Sequence, residues 1–256
     1  MIVTGFKHRK AKRLLSELAA LMVLASVVSI AAAQPKPTLE YVFSSSTNLS
    51  KIGGITDSSG NKYNGSELSL GTEASIGPGH LSSTFAIHLI GDEDTSTGGT
   101  GIDTGVDTAT VGIDGGPFTV MAWINRSSFK SDNMVFGTMN NGSPDLHLGF
   151  RKSTAYCGFW GNDSGAYAPV GIYEWHHWAV RYDGTSKQEI FIDGVLINSD
   201  PGHGPYSGSG VDLTIGHTFG NGGAFAGAIE HPRVFGGKAL RDDQIAADAQ
   251  DMPIPP

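Results

Sequence analysis

The stretch that most constrains the fold runs from residue 175 to residue 194 and reads WHHWAVRYDGTSKQEIFIDG. Trp178, Val180 and Tyr182 lie two residues apart, so in a β-strand they share one face. Asp183-Gly184 supplies the residues of a tight turn, and a second alternating segment with two isoleucines follows it. The stretch therefore predicts a hairpin of an antiparallel sheet.

Short strands separated by turn residues recur along most of the chain. Glycine contributes 36 of the 256 residues and is concentrated in runs between the apolar segments. The candidate strands cover residues 39–43, 84–90, 118–125, 134–139, 146–151, 155–160, 175–182, 188–192, 213–215 and 228–235. The one convincing helical periodicity covers residues 240–249. This pattern predicts an all-β sandwich of two antiparallel sheets with a short C-terminal helix.

The same hairpin, with Trp-His-His followed by Tyr-Asp-Gly and Asp-Gly, resembles the laminin-G-like members of the concanavalin A-like lectin/glucanase superfamily. Other stretches resemble that family's N-terminal Asp-Ser-Ser-Gly-Asn loop, its first long core strand and its closing strands: residues 56–65, 118–124, 213–216 and 225–235. The resemblance covers about residues 38–250 and implies a jelly roll, while it is much less specific for a ligand. Pro232 stands where the family usually has a β-branched residue. Because proline donates no backbone hydrogen bond, this position is predicted to lie at an edge or a bulge.

The first 33 residues have the layout of a secretory signal peptide. Five basic residues precede a largely apolar run that ends in Ala31-Ala32-Ala33. An uncleaved membrane anchor is the alternative, which Glu17 and the alanine-rich end weaken. Cleavage leaves residues 34–256 as a single sandwich domain, predicted to be secreted to an extracellular or periplasmic location with no membrane insertion.

The charge of that domain excludes two classes of partner. Five of the 17 basic and one of the 25 acidic side chains lie in the leader, so the remainder carries a formal charge of −12. Nucleic acids and anionic lipids are bound mainly through Lys and Arg, so the composition favours neutral glycans or cation-bridged ligands. Cys157 is the only cysteine, which excludes an intrachain disulfide, and its strand pattern predicts a buried thiol.

An enzyme on this fold is possible but finds little support. Glycosidases need two carboxyl groups, about 5 to 9.5 Å apart depending on mechanism, and the Glu-x-Asp-x-Glu strand of the superfamily's glucanases is absent. Glu189 and Asp193 share a face but lie about 13 Å apart along a strand. A polysaccharide lyase would use a base such as His176 or His177. We interpret this pair as structural, with one imidazole donating to a backbone carbonyl and the other half exposed.

Calcium is the metal that the sequence favours. Asp57, Asn61 and Asn64 place carboxylate and amide oxygens in a glycine-containing loop, and such oxygens are the ligands that Ca²⁺ prefers. The resemblance implies that this loop lies near the final strand, where Glu230 occupies a usual acidic position. We predict Asp57 and Glu230 as the charged ligands of a structural calcium ion, with Asn61 and Asn64 completing the site. An Asx-rich turn that bonds its own backbone is the alternative.

Three stretches that follow predicted strands combine aromatic rings with small polar groups, a mixture typical of glycan sites. They are expected to gather at one rim of the sandwich. The predicted ligand-binding residues are Trp160, Asn162, Asp163, Tyr167, Tyr206, His217, Phe219 and Asn221. For Trp160 the alternative is a core position at the end of its strand. The sequence favours a non-catalytic module that recognises a polysaccharide or glycoprotein. The alternatives are an envelope-surface adhesion domain that binds another protein, and a glycoside hydrolase or polysaccharide lyase.

Overall fold

A computed structural model describes residues 33–69, 73–91, 98–129, 132–139, 145–208, 210–218 and 223–256. In these ranges the chain forms fifteen strands and one helix. The first seven strands are β1 (Leu39–Glu40), β2 (Ser66–Ser69), β3 (Ser75–Pro78), β4 (Phe85–Leu89), β5 (Thr100–Asp107), β6 (Phe118–Arg126) and β7 (Asp132–Thr138). The others are β8 (His147–Arg151), β9 (Thr154–Gly158), β10 (Asp163–Tyr167), β11 (Trp175–Tyr182), β12 (Gln188–Ile192), β13 (Val195–Asp200), β14 (Asp212–Ile215) and β15 (Gly227–Gly236), followed by helix α1 (Asp242–Asp248).

The strands form two antiparallel sheets. Sheet A has the order β13-β12-β11-β6-β15-β4-β3, with β1 paired to β15, and sheet B has the order β10-β9-β8-β7-β14-β5-β2. The hairpin predicted from residues 175–194 is present as β11 and β12, with Trp178 opposite Ile192 and Tyr182 opposite Gln188. The all-β sandwich is therefore confirmed, and Gln34–Pro255 forms one compact unit.

The core lies between the sheets and follows from the alternation along each strand. Trp178, Val180 and Tyr182 are buried on the inner face of β11. Across the core, the ring of Phe136 in β7 stacks on Trp178 with centroids 6.2 Å apart. Cys157 is also fully buried, and burial raises the pKa of its thiol, so the predicted packing role is confirmed.

Helix α1 covers part of the outer face of sheet A. Leu240 and Ile245 pack on a second apolar cluster formed by Met121, Phe191 and Phe235 of the sheet. At the start of the helix, the Arg241 backbone N–H donates to the Gln244 side chain at 2.9 Å. The predicted terminal helix is confirmed but shorter than residues 240–249. Within the described ranges, no helix has the length and apolar character needed to cross a bilayer.

Pro232 lies at a bulge, as predicted. The pairing of β15 with β6 shifts register between Glu230 and Arg233. His231, just before the proline, has a φ of 49°, in the left-handed region that a bulge can accommodate. Proline is tolerated within this long strand because the bulge removes its position from the regular hydrogen-bond ladder.

Five strands were not predicted: β2, β3, β5, β10 and β13. Their sequences are rich in Ser, Gly, Asp and Thr, so hydrophobic alternation is weak and backbone pairing defines them. The predicted strand over residues 155–160 ends at Gly158, which leaves Trp160 in the turn before β10. The predicted signal peptide falls almost wholly on residues 1–32, outside the described residues, and stays a prediction.

Candidate functional site

The candidate site begins as a row of side chains across the outer face of sheet A. Trp175 of β11 lies opposite Asn125 of β6, and Asn125 lies opposite Ala228 of β15. Ala228 in turn lies opposite His88 of β4. Successive side chains of a strand point to opposite faces of the sheet. Because Trp178 and Ile124 on the same strands are buried in the core, Trp175 and Asn125 point outward.

This row lies in a groove of about 500 Å³. Its lining combines aromatic rings, small residues and neutral polar groups, and carries no Asp, Glu, Lys or Arg: Pro78, Gly79, His88, Leu89, Asn125, Ser127, Tyr173, Trp175, Gly227 and Ala228. The groove depends on glycine at one point in particular. Gly227 has a φ of 134°, and a Cβ atom there would collide with the carbonyl oxygen of Asn125.

Two aromatic side chains form one side of the groove. Tyr173 is 72% exposed and has a φ of 61°. Its backbone N–H donates to the carbonyl oxygen of Arg126 at 2.7 Å, which ties the loop before β11 to the end of β6. Trp175 is half-buried, with its ring edge toward His80 at a centroid distance of 6.2 Å. The exposed tyrosine therefore lies at the opening of the groove, and the half-buried indole lies deeper in it.

The polar groups of the groove are free to bind a ligand. Within the described ranges, the Asn125 amide, the Ser127 hydroxyl, the Tyr173 hydroxyl and the Trp175 indole N–H make no hydrogen bond to protein. His88 differs, because its Nε2 lies 3.1 Å from the carbonyl oxygen of Pro78. The groove thus presents donors and acceptors beside aromatic faces, the combination that binds sugar hydroxyls and sugar ring faces.

Behind the groove, a histidine connects it to the buried charges of sheet A. The His80 ring stacks on Trp123 at 4.1 Å, and its Nδ1 lies 2.8 Å from Glu230 Oε2. The His80 backbone N–H donates to the same oxygen at 2.6 Å. His80 Nε2 lies 2.8 Å from Asp251 on the C-terminal tail. Glu230, predicted to bind calcium, therefore positions His80 beside Trp175.

A second carboxylate secures helix α1 to the same face. Asp248 contacts Arg233 of β15, and its Oδ2 lies 2.8 Å from His177 Nε2. Burial raises the pKa of Asp248, but the hydrogen bond from His177 and the charge of Arg233 outweigh it and hold this pKa well below its usual range. The predicted contact of a histidine with a backbone carbonyl is wrong here, because both histidines bond carboxylates. His176 pairs with Asp193 at 2.8 Å, and this hydrogen bond raises its pKa.

The predicted calcium loop is held by its own hydrogen bonds. Asp57 is 7% exposed, and its carboxylate accepts backbone N–H groups of Glu40, Ser59 and Tyr63 at 2.9 to 3.1 Å, together with the Ser59 hydroxyl. The Asn64 side chain accepts the Asp57 N–H at 3.0 Å. The Asn61 amide donates to Thr38. Among the described residues no three His, Cys, Asp or Glu side chains cluster as a metal site. Calcium binding here stays a prediction.

The predicted ligand-binding residues do not form one site. Trp160 and Tyr167 are exposed on the outer side of sheet B, and Trp160 is not in the core. Asn162 joins two of the three predicted stretches, because its side chain bonds His203 Nδ1 and the Gly204 carbonyl oxygen at 2.8 and 2.9 Å.

The Asp163 carboxylate accepts the Phe159 N–H at 2.8 Å and the Tyr156 hydroxyl at 2.9 Å. Tyr206 is 1% exposed and packs on Phe159 in the core, so it does not lie at the rim. His217 is also buried, with its Nε2 2.8 Å from the Gly98 carbonyl oxygen. Phe219 and Asn221 lie outside the described residues.

Sequence reasoning missed the groove residues. Tyr173, Asn125 and Trp175 had no predicted binding role. A signal was nevertheless present. Trp178 is three residues after Trp175, so if Trp178 faces the core, Trp175 faces outward.

A family model described as the concanavalin A-like lectin/glucanases superfamily matches residues 98–246, more than half of the chain. The chain belongs to this superfamily. No curated protein sequence matches it significantly.

Solved structures show the superfamily's fold at low sequence identity. Domain 4 of AbnA, a GH43 extracellular arabinanase from Geobacillus stearothermophilus, solved in complex with arabinotriose, is 18% identical with a TM-score of 0.64. That match covers 85% of this chain and 100% of that domain. The binding domain of Paraclostridial Mosquitocidal Protein 1 is 13% identical with a TM-score of 0.58, covering 84% of this chain and 52% of the other.

The binding domain of botulinum neurotoxin DC, solved in complex with rat synaptotagmin II, is 14% identical with a TM-score of 0.58. It covers 84% of this chain and 51% of the other. The chain thus spans about half the length of the toxin domains that it matches. At these identities the likeness concerns the shared fold of the superfamily alone.

Proposed function

We propose that this protein is a non-catalytic recognition module that binds a neutral glycan in the groove on the outer face of sheet A. The observation that carries the proposal is the lining of that groove. Aromatic rings stand beside hydroxyl, amide and indole groups that have no protein partner in the described ranges. These groups are accessible from the groove and need not break a hydrogen bond within the protein to bind a ligand, so sugar hydroxyls can replace water as their partners.

Charge supports a neutral ligand. No lining residue of the groove carries a formal charge, although the domain is strongly acidic. An anionic glycan would meet no Arg or Lys there and would be repelled by the rest of the surface. Hydrolysis by paired carboxyl groups is also disfavoured in the groove, because none of its lining residues has a carboxyl group.

Two of the compared structures were solved with a bound molecule, which suggests ligands to test on this chain. The arabinanase domain was solved with arabinotriose, which makes short neutral oligosaccharides reasonable first probes. The toxin domain was solved with a protein, synaptotagmin II, so a glycoprotein or a protein partner is the second candidate. For this chain we further propose export through the predicted signal peptide and a structural calcium ion at the Asp57 loop.

The test is a glycan array followed by calorimetric titration of the best neutral oligosaccharide, with arabinotriose included. We expect Trp175→Ala to weaken binding about tenfold or more, since aromatic stacking contributes on the order of 1 kcal/mol beyond burial. Val195→Ala is the matched control, because it removes an exposed apolar side chain on edge strand β13, away from the groove. Unchanged affinity in Trp175→Ala would contradict the proposed site.

The array also distinguishes the second candidate function. If every sugar fails and the folded protein captures a protein partner, the module recognises proteins. If a polysaccharide panel releases reducing sugars or unsaturated products, the protein is an enzyme. Running the array with calcium and with a chelator shows in the same experiment whether recognition depends on the ion.

A further inference from the structure

We propose that the outer face of sheet B carries a second sugar-binding site, an open platform for an extended stretch of neutral polysaccharide. The proposal rests on the proposed function for the class of ligand. It adds a second site on the opposite face of the sandwich, so that one molecule can bridge two polysaccharide chains. We call this surface the platform; its ends are Trp160 and Tyr167.

The two rings stand apart on one face of the sheet. Trp160 is 51% exposed at the turn between β9 and β10, and Tyr167 is 72% exposed at the far end of β10. The Trp160 ring lies 6.4 Å from that of His147, and His147 and Asp163 both pair with Gly158, so the indole stands near the Asp163 end of β10. Tyr167 is four residues further along, about 13 Å from Asp163 on the same face. Rings near opposite ends of this strand suit an extended chain better than a single sugar residue.

The surface between the rings is low. Gly165 lies opposite Tyr156 in the pairing of β10 with β9, and Tyr156 lies opposite Gly149 of β8. The Tyr156 ring packs against His147 and Arg151, so it borders the platform and presents no open face to a ligand. Gly165 is exposed and has no side chain, so a ligand can pass over β10 between Trp160 and Tyr167.

The buried His147 packs against two aromatic rings of this surface, Tyr156 and Trp160. The His147 ring stacks on Tyr156 at 5.5 Å and meets Trp160 edge-on at 6.4 Å. It occupies the space beside Gly158, where a Cβ atom would collide with the imidazole. Trp160 itself has a φ of 56°, a conformation in which non-glycine residues are uncommon. The sequence thus holds an exposed indole in an unfavourable backbone conformation, and packing on His147 supports that position.

Charges near the platform are compensated within the protein. The Arg151 guanidinium stacks on Tyr156 at 4.2 Å and lies 3.3 Å from the Asp132 carboxylate. The Asp163 carboxylate is bonded to Tyr156 and to the backbone. The surface therefore offers the exposed rings of Trp160 and Tyr167 without an uncompensated positive charge, which favours an uncharged polymer over a polyuronate.

The experiment compares a polymer with a short ligand. Affinity electrophoresis and turbidity are measured with arabinan, xylan, galactan and mannan, and calorimetry with the oligosaccharide that binds the groove. We expect the double variant Trp160→Gly and Tyr167→Ala to lose polymer-dependent turbidity and to weaken polymer retention tenfold or more. Its oligosaccharide affinity should stay unchanged. The glycine is chosen because it tolerates the positive φ at position 160.

The outcomes separate this proposal from the proposed function. Trp175→Ala should bind the oligosaccharide at least about tenfold more weakly, as expected for the groove, yet still be retained by the polymer through the platform. If Trp175→Ala binds the oligosaccharide normally, the groove proposal fails while the platform can still succeed. Retention and turbidity equal to wild type in the double variant, or no retention of the wild type by any of the four polymers, would overturn the platform. Rescue by Trp160→Tyr with Tyr167→Phe, which restores rings, excludes loss of folding as the cause.

Discussion

The two outer faces of the sandwich use their polar groups in opposite ways. In the groove of sheet A, the Asn125 amide and the Tyr173 hydroxyl have no protein partner among the described residues. On the platform of sheet B, the Asp163 carboxylate and the Tyr156 hydroxyl bond one another and their neighbours. The groove is therefore prepared to exchange hydrogen bonds with a ligand, while the platform offers aromatic faces on a surface that is already satisfied.

This difference indicates how to distinguish polar groups that hold the fold from those that meet a ligand. A group with internal partners contributes to stability, and its loss should change unfolding but not recognition. A group without partners contributes little to stability, and its loss should change recognition alone. Substitutions of both kinds of group on each face test this rule.

The largest effect on stability is expected at Asp248, behind the groove. Asp248→Ala leaves Arg233 and His177 buried without their anion, which costs about 3 to 5 kcal/mol. Denaturant unfolding measures the loss. Asp243→Ala on the same helix is the control, because its exposed pair with Arg241 should contribute almost nothing. Equal effects of the two substitutions would contradict the structural role of Asp248.

The same carboxylate predicts an acid dependence. Its pKa is lowered from 3.8, so its stabilising contribution is complete at neutral pH and is lost as the pH falls through 3.8 toward the folded-state value. We expect the difference in unfolding free energy between wild type and Asp248→Ala to be full at pH 7 and to shrink at pH 3. A difference that stays constant would show that the ion pair is not its source.

The Asp57 loop tests the rule away from both faces. Asp57→Ala removes the acceptor for several backbone N–H groups and should cost about 2 to 3 kcal/mol, with no change in oligosaccharide affinity. Thermal melts of wild type with excess calcium and with a chelator accompany this measurement. A higher midpoint with calcium that disappears in Asp57→Ala would establish the proposed ion there.

Two glycines allow each face to be disturbed separately. Gly227→Ala forces a clash with the Asn125 carbonyl at the base of the groove, and Gly158→Ala forces one with the His147 ring under the platform. Each should cost about 1 to 3 kcal/mol. The first should weaken binding of the oligosaccharide and the second only binding of the polymer. Gly116→Ala, where a Cβ atom meets nothing within 4 Å, is the control. Identical binding changes in both variants would remove the distinction between the faces.

The smallest effects are expected where one hydrogen-bonding group is removed from each face. Asn125→Ala should lower oligosaccharide affinity about fivefold with little change in stability, the size of one neutral hydrogen bond. Tyr156→Phe should cost about 1 kcal/mol of stability and leave polymer retention unchanged, because the ring remains and its hydroxyl is bonded internally. Weaker polymer binding in Tyr156→Phe would mean that the platform also recognises its ligand through hydrogen bonds.

Much of the fold could be predicted because each long strand carries its own alternation. The bounds of β11 and β12 agree with the prediction at every residue, and β6 differs by one. The glycine- and serine-rich strands could not be predicted in this way. β10 contains Asp163-Ser-Gly-Ala-Tyr, which has no alternation of large apolar residues, and its pairing with β9 alone makes it a strand.

The exposure of the predicted binding residues could be predicted only in part, and their binding role stays a prediction. Trp160 and Tyr167 are exposed as a platform requires, whereas Tyr206 lies in a sequence just as polar and is buried. Glycine, proline and serine around an aromatic ring do not show whether the chain turns inward at that point. Asp57 illustrates the same limit, since a carboxylate in a loop has the same sequence whether it meets a cation or backbone N–H groups.

By itself, the sequence determined the sandwich, its superfamily and the face on which each residue of a long strand lies, because a period of two is a local property of the chain. Only the tertiary structure decided which strands became neighbours. That choice brought Trp175, Asn125, Ala228 and His88 into one row on the outer face of sheet A. Contacts between residues far apart in sequence depend on the packing of the whole core, and no short stretch of the chain contains that information.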